Sequence, residues 1–123
     1  KNIKSKISNI NKNNFLGILV EGSEGIENLE SISKVKGIDL IYLGLFDISV
    51  SVGLPGELNN SKVLKRIKEC QKIISAYGKI PGCMSIDIKY SKMLLKYGYK
   101  FIAYLNDAYA LKSFFDNEIN KLK

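Results

Sequence analysis

Two carboxylates, Glu21 and Asp47, stand just past the ends of two apolar runs, "FLGILV" (15–20) and "GIDLIYLG" (37–44). Neighbouring strands of a sheet lie about 4.8 Å apart. If the two runs are adjacent parallel strands, both acids therefore sit at one sheet edge. Ligands gather at the carboxyl edge of parallel sheets, because the strand-to-helix loops and helix N-termini converge there. A pair of carboxylates in that position can share a hard divalent cation such as Mg²⁺ or Mn²⁺. It would leave coordination positions free for water or a chelating substrate. Such a site suits Lewis-acid chemistry, in which a developing oxyanion is stabilised. The same residues also read as a solvated strand end (Glu21) and a helix N-cap (Asp47), and spacing alone favours that plainer reading. Asp87 and Asp107 follow two later apolar runs and precede helical patterns, where a cap role is expected.

Composition narrows the chemistry. The chain contains no histidine, which removes imidazole as a general base, as the partner of a Ser or Cys nucleophile, and as a metal ligand. A metal site here must use oxygen ligands, hence hard cations. Cys70 and Cys83 match no metal or redox spacing. They read as buried free thiols, which points to a reducing cytoplasm. The formal net charge is +7, but the lysines are spread along helix-like segments and "KNIKSKISNINKNN" is as rich in Asn as in Lys. No nucleic-acid partner is expected from that pattern. No apolar run approaches the roughly 18 residues of a membrane helix, so no membrane association is expected. The start shows neither a signal-peptide pattern nor an initiator Met, which suggests a fragment or a processed chain.

The elements that must position the acids follow from periodicity. Residues 1–14 are polar with isolated Ile, and are expected to be a linker or the frayed end of a preceding element. The 123 residues otherwise fit one small domain, 15–123. "FLGILV" and "GIDLIYLG" read as strands buried on both faces. Between them, Ile26, Leu29, Ile32 and Val35 have helical spacing. After the turn-rich "SVGLPGELNN", a helix opens near Ser61 with Val63, Ile67, Cys70, Ile74 and Tyr77 on one side and Gly78 as its stop. "IPGCMSI" (80–86) and "KFIAYL" (100–105) are further strands, separated by a helix over 88–98. A last helix from about Ala108 carries Leu111, Phe115, Ile119 and Leu122 on one face. Four consecutive βα units of this kind predict an α/β fold with a parallel sheet and right-handed crossovers. They suit either a small open sheet or half of an eight-unit barrel.

With these residues in view, the sequence resembles the metal-dependent pyruvate aldolases of the HpcH/HpaI aldolase/citrate lyase family. Members include 4-hydroxy-2-oxoheptanedioate aldolase and 2-dehydro-3-deoxyglucarate aldolase. The resemblance covers most of 15–122 and is colinear with the C-terminal half of that family's barrel. "ILVEGSEGIENLESI" matches its strand ending in Glu, with an Asn in the next helix (Glu21, Asn28). "KGIDLIYLGLFDISVSVGLPG" matches "pGvDgvfiGpaDLs.slG" through Gly37, Asp39, Gly44, Asp47, Ser49 and Gly53. Gly78, Lys79, Pro81 and Gly82 match a "GK.pG" strand opening. Gly98, Phe101, Ile102, Ala103 and Asp107 match "GarFia...D".

The resemblance implies strands 5–8 of a phosphoenolpyruvate/pyruvate-type (β/α)₈ TIM barrel. It implies Glu21 and Asp47 as ligands of Mg²⁺, Mn²⁺ or another divalent cation. Gly44, Leu45, Phe46 and Met84 would contact the substrate, with backbone amides near Phe46 and Asp47 holding its carboxylate. The implied reaction cleaves a 4-hydroxy-2-oxo acid to pyruvate and an aldehyde through a metal-stabilised enolate. A citrate-lyase-beta or malyl-CoA-type lyase, or a non-catalytic half-barrel module, are the alternatives. The catalytic proton-transfer groups and the enolate-stabilising Arg are expected in an N-terminal half absent from this chain; Arg66 reads as a solvated helix residue. The chain alone is therefore expected to be inactive. Association with an N-terminal half-barrel or homo-oligomerisation is implied, the last helix (108–122) packing on a neighbour. The sequence departs from the family at Leu19, where a polar residue is common, at Gly22 in place of Thr, and at Leu45 in place of Pro. Those departures leave the substrate beyond a small 2-oxo acid open.

Overall fold

In the computed structural model, which describes residues 3–122, the four strands form one sheet in the order β1 (Gly17–Val20), β2 (Leu40–Leu43), β3 (Ile80–Ser85) and β4 (Phe101–Tyr104). Every pairing is parallel. Chain order equals spatial order, as expected when each strand is followed by a crossover that returns to the same edge.

Seven helices accompany the strands among the described residues: α1 (Ile3–Asn13), α2 (Gly22–Glu27), α3 (Leu29–Ser33), α4 (Leu45–Ser51), α5 (Ser61–Ala76), α6 (Ile88–Tyr97) and α7 (Asp107–Asn120). The Ile26–Val35 pattern thus divides into two short helices. Asn28 is the reason: its amide side chain and its backbone N–H both donate to the Glu24 carbonyl, the local competition that Asn offers to a continuing helix. The short α4 is an addition to the expected helices. Residues 3–13, expected as a linker or frayed end, are helical. The spacing of Ile3, Ile7 and Ile10 accounts for it, although all three are exposed.

The core lies between one face of the sheet and the helices. Ile41, Leu43 and Cys83 on the strands meet Leu29 of α3, Ile48 of α4, Val63, Ile67 and Ile74 of α5 and Leu94 of α6, all essentially inaccessible to water. Burying each such aliphatic side chain is worth about 1.5–3 kcal/mol. Tyr99 closes one end of this layer, its hydroxyl donating to the Ile67 carbonyl at 2.9 Å. Gly78 and Gly98 end α5 and α6 in left-handed conformations, with φ of +70° and +99°, as helix stops require.

The opposite face of the sheet is uncovered at its edge strands, and the expectation of strands buried on both faces is corrected for β1, whereas β2 is buried or half-buried along its length. Leu19 is 56% exposed and Phe101 43%. A continuous apolar run has the same appearance whether or not its own chain covers the second face. On the bare side Leu40 and Phe101 meet above Gly82, where a Cβ would stand 3.0 Å from one and 3.2 Å from the other. Tyr42 and Phe101 pack edge to face, their ring centroids 6.1 Å apart. The apolar face of α7 is likewise uncovered: Leu111, Phe115 and Ile119, with Leu122 just beyond the helix, are all more than half exposed.

Candidate metal and substrate site

The register of the first two strands places the carboxylates. Val20 lies opposite Leu43, and the Gly44 N–H donates to the Val20 carbonyl at 3.1 Å, so the ladder carries on to the point where Glu21 and Gly44 stand side by side. From Gly44 the chain turns directly into α4, which puts Asp47 in the first turn of that helix. Gly44 is the meeting point of the two acids. A Cβ added there would lie 2.7 Å from Asp47 Oδ2 and 3.1 Å from Glu21 Cβ. Only a residue without a side chain lets both acids close on that spot. The Gly44 φ is −74°, so its backbone makes no demand for glycine. Space does.

Neither acid serves as a helix cap. Glu21 is the N-cap residue of α2 but its side chain makes no cap hydrogen bond, and the N-cap of α4 is Gly44, not Asp47. The contrast with α5, α6 and α7 is clear. Asn60 accepts from Lys62 N–H, Asp87 from Tyr90 N–H and Asn106 from Tyr109 N–H. The cap expectation therefore holds for Asp87. It needs correcting for Asp107, which is the first residue of α7 and accepts from the adjoining Ala108 N–H while Asn106 caps. The salt bridges among the described residues join Lys34 to Glu30, Arg66 to Glu69, Lys112 to Asp116 and Lys121 to Glu118, and involve neither Glu21 nor Asp47.

The acids open onto a hollow of about 380 Å³ at the carboxyl edge of β1–β3. All six residues singled out from the sequence line it: Glu21, Gly44, Leu45, Phe46, Asp47 and Met84. So do Leu19, Tyr42, Leu58, Ile86 and Tyr90, most of which sequence reasoning did not assign to a site. Alternation along β1–β3 could have identified Leu19, Tyr42 and Met84 as one face, whereas nothing local marks Leu58 or Ile86. The hollow is apolar apart from the acids. Burial pushes the Tyr42 phenol above its ordinary range, with the neighbouring Cys83 adding to the effect. Ser85 and Tyr90 have polar atoms, but these are engaged: Ser85 donates to the Asp87 carbonyl and Tyr90 to the Leu58 carbonyl. A wider open depression along α6, lined by Lys89, Lys92 and Lys96 together with Ile88, Met93 and Tyr97, contains no acid and lies apart from the strand ends.

A loop supports α4 from outside. The buried Ser49 hydroxyl donates to the Phe46 carbonyl and accepts from the Gly56 N–H at 2.8 Å. Gly56 has φ +78° and stands 3.6 Å, measured from the place of a Cβ, from the Phe46 ring. The loop is thus tied to the turn that carries Phe46 and Asp47. At the same sheet edge Leu105 holds a positive φ of 60°, a conformation that costs a non-glycine residue on the order of 1 kcal/mol.

The Glu21–Asp47 pair fits a hard divalent cation in donor chemistry, since both groups are oxygen donors without cap bonds and the Asp47 carboxylate and the Glu21 Cβ both border Gly44. Two protein carboxylates leave most positions to water or substrate. Among the described residues, no group of three or more His, Cys, Asp or Glu side chains is placed to hold a metal.

Comparison with known proteins agrees with this architecture. The chain is 30% identical over 121 residues to 2-keto-3-deoxy-L-rhamnonate aldolase of Salmonella paratyphi A, a match that takes in 98% of this chain and 45% of that protein. Its structure superposes on the HpcH/HpaI aldolase from Desulfitobacterium hafniense DCB-2 with a TM-score of 0.89 at 20% identity, over 100% of this chain and 48% of the other. A family protein from Burkholderia cenocepacia J2315 gives 0.86 at 18% identity, covering 97% and 46%. The chain spans about half the length of these relatives, and its four parallel strands match half of their TIM barrel. Residues 1–112 match the model of the HpcH/HpaI aldolase/citrate lyase family, and the chain belongs to that family.

Proposed function

We propose that this chain is the metal- and substrate-binding half of a class II aldolase that cleaves a 4-hydroxy-2-oxo acid into pyruvate and an aldehyde. The observation that carries the reading is that the Asp47 carboxylate and the base of the Glu21 side chain both border Gly44, at the lip of a hollow and free of cap duties. Glu21 and Asp47 would hold Mg²⁺ or Mn²⁺. When bound, the cation supplies Lewis acidity toward the oxo group of the substrate. The chain's own part is to orient and to exclude water. Gly44 gives the head of the oxo acid access between the two acids, the backbone at Phe46 and Asp47 faces its carboxylate, and Leu45, Phe46 and Met84 wall it from solvent.

Proton transfer needs groups this half does not bring to the hollow. The chain's single arginine, Arg66, borders a separate small cleft with Ser23 and Glu27 and pairs with Glu69. The bare inner face of the sheet, with its free β1 and β4 edges, is the surface a preceding half-barrel would cover. The apolar face of α7 is the surface a neighbouring subunit would cover. Two buried free cysteines suit a reducing cytoplasm, and among the described residues no helix is long and apolar enough to cross a membrane. An acyl-CoA lyase is the second reading. It is disfavoured because none of the residues lining the hollow is basic, whereas a CoA phosphate calls for Arg or Lys.

The test is Mn²⁺ binding followed by water-proton relaxation, with and without oxalate as a stand-in for the oxo-acid head. Binding that tightens with oxalate and disappears in both Glu21→Ala and Asp47→Ala is the expected result. Unchanged binding in both variants would sink the proposal.

A further inference from the structure

Folding gathers the chain's positive charge onto one surface. Helices α5 and α6 carry seven lysines and Arg66 against a single acid, Glu69. Their net charge of +7 equals that of the whole chain, so the rest of the chain is neutral on balance. The two helices are neighbours. Lys68 of α5 stands over the Tyr97 ring of α6, 5.4 Å from its centroid, and Gln71 of α5 donates to the Gly98 carbonyl just past α6. All seven lysines are exposed. Among the described residues none of them joins an ion pair, whereas Lys34, Lys112 and Lys121 each pair with an acid three or four positions away. Lysine-rich composition alone would leave both groups alike. Lys65, Lys68 and Lys72 on α5, and Lys89, Lys92 and Lys96 on α6, repeat at the spacing that sets like charges side by side and weakens a helix.

We infer that this surface docks an acidic amphipathic helix of a protein partner, laid along the depression beside α6. There Lys89, Lys92 and Lys96 stand around Ile88, Met93 and Tyr97 in an open hollow of about 590 Å³. A helix with a leucine stripe flanked by glutamates would cover the apolar floor and pair the lysine rim, the helix-in-groove mode of recognition. Its acids, three and four residues apart, share the spacing of the lysines. Other polyanions fit less well. Unpaired bases stack on open aromatic faces, and the Tyr97 ring already holds the Lys68 ammonium over its face. A bilayer takes up apolar side chains that project, whereas Met93 and Tyr97 are recessed and only half-exposed. The surface also lies apart from what a preceding half-barrel would cover. Both helices follow the inner strands, β2 and β3, on the helix side of the sheet.

The probe is a fluorescein-labelled helical peptide of about 18 residues with that leucine stripe and its flanking glutamates, titrated with the full chain and followed by anisotropy. A second peptide has Gln for every Glu. A labelled oligouridylate and phosphatidylglycerol vesicles represent the other polyanions. The expected result is binding of the Glu peptide that weakens with added salt and exceeds binding of the Gln peptide, the RNA and the vesicles. Combining Lys89→Glu, Lys92→Glu and Lys96→Glu should raise the peptide Kd about tenfold, since three exposed attractions become repulsions. A control with the same change in net charge, Lys36→Glu, Lys112→Glu and Lys121→Glu, should leave the Kd nearly unchanged. Ile88→Ser should weaken the peptide and leave RNA binding as it was. Equal binding of the two peptides, an equal loss in the two charge variants, or no binding of the Glu peptide overturns the inference. So does tighter binding of the RNA or the vesicles, which would assign the surface to that class of partner instead.

Discussion

The Ser49 hydroxyl joins two backbones: it donates to the Phe46 carbonyl and accepts from Gly56, seven residues further on. The side chain is fully buried, so its loss leaves groups unpaired beside the turn that holds Asp47. Ser49→Ala should cost about 1–3 kcal/mol of stability, read from urea unfolding. The Gly56 amide should exchange its hydrogen faster, an effect that general destabilisation would not confine to one loop.

Gly44 separates stability from chemistry. Its φ of −74° suits alanine, and the nearest obstacle to a methyl is the movable end of Asp47, 2.7 Å away. Gly44→Ala should therefore shift the urea midpoint little while weakening Mn²⁺ binding tenfold or more, because the carboxylate must swing aside. Relaxation titration of wild type and variant at equal concentration checks this.

Tyr99 is a different sort of residue, with no path to the site. Burial drives its phenol far above the usual tyrosine range, with Cys83, Cys70 and Tyr90 adding smaller pushes, and its hydroxyl is held by the Ile67 carbonyl. Tyr99→Phe keeps the ring and removes the bond. A loss of about 1 kcal/mol, with ligand binding unaltered, is the expected outcome in thermal melts paired with titrations.

The two thiols give a pH signature. Burial pushes Cys83 up to about 12, and burial pushes Cys70 up to about 11 despite the opposing pull of Arg66. In the unfolded chain they ionise near their ordinary value of 9.0. Above that pH the unfolded state sheds protons the folded state keeps, so stability declines as pH rises from about 9 toward the folded values and is fully present below. Melting temperature should drop across that window, and less so in Cys83→Ala measured against its own neutral-pH value. At pH 8, a disulfide reagent should label neither thiol quickly until denaturant is added.

Much of this was readable in the letters, and the residues show why. Val63, Ile67, Cys70 and Ile74 carry a helical period that only one buried face satisfies, and α5 forms there. Glu21 and Asp47 could be paired because strand ends are visible in a sequence and parallel strands align their carboxyl edges. The hidden parts depend on registry in space. That Gly44 is the contact between the acids requires knowing that Val20 lies opposite Leu43. That Leu58 reaches the hollow depends on a loop path set by Ser49 and Gly56. The exposure of Leu19 was hidden because an apolar strand does not say who covers it.

The amino edge of the sheet is built in another manner from the edge that carries the hollow. There Asp39 accepts from Leu16 N–H through its side chain, exchanges backbone bonds with Leu16 and Ile80, and so fastens three strands. The Lys79 ammonium adds a clasp by donating to the Val35 and Ile38 carbonyls. With the hem so firmly sewn, the rim can be re-tailored: exchanges at Leu19, Phe46 or Ile86 touch neither clasp nor core. On the proposed reading of the site, a lineage can drift from one substrate to another at the rim without first having to learn to fold again.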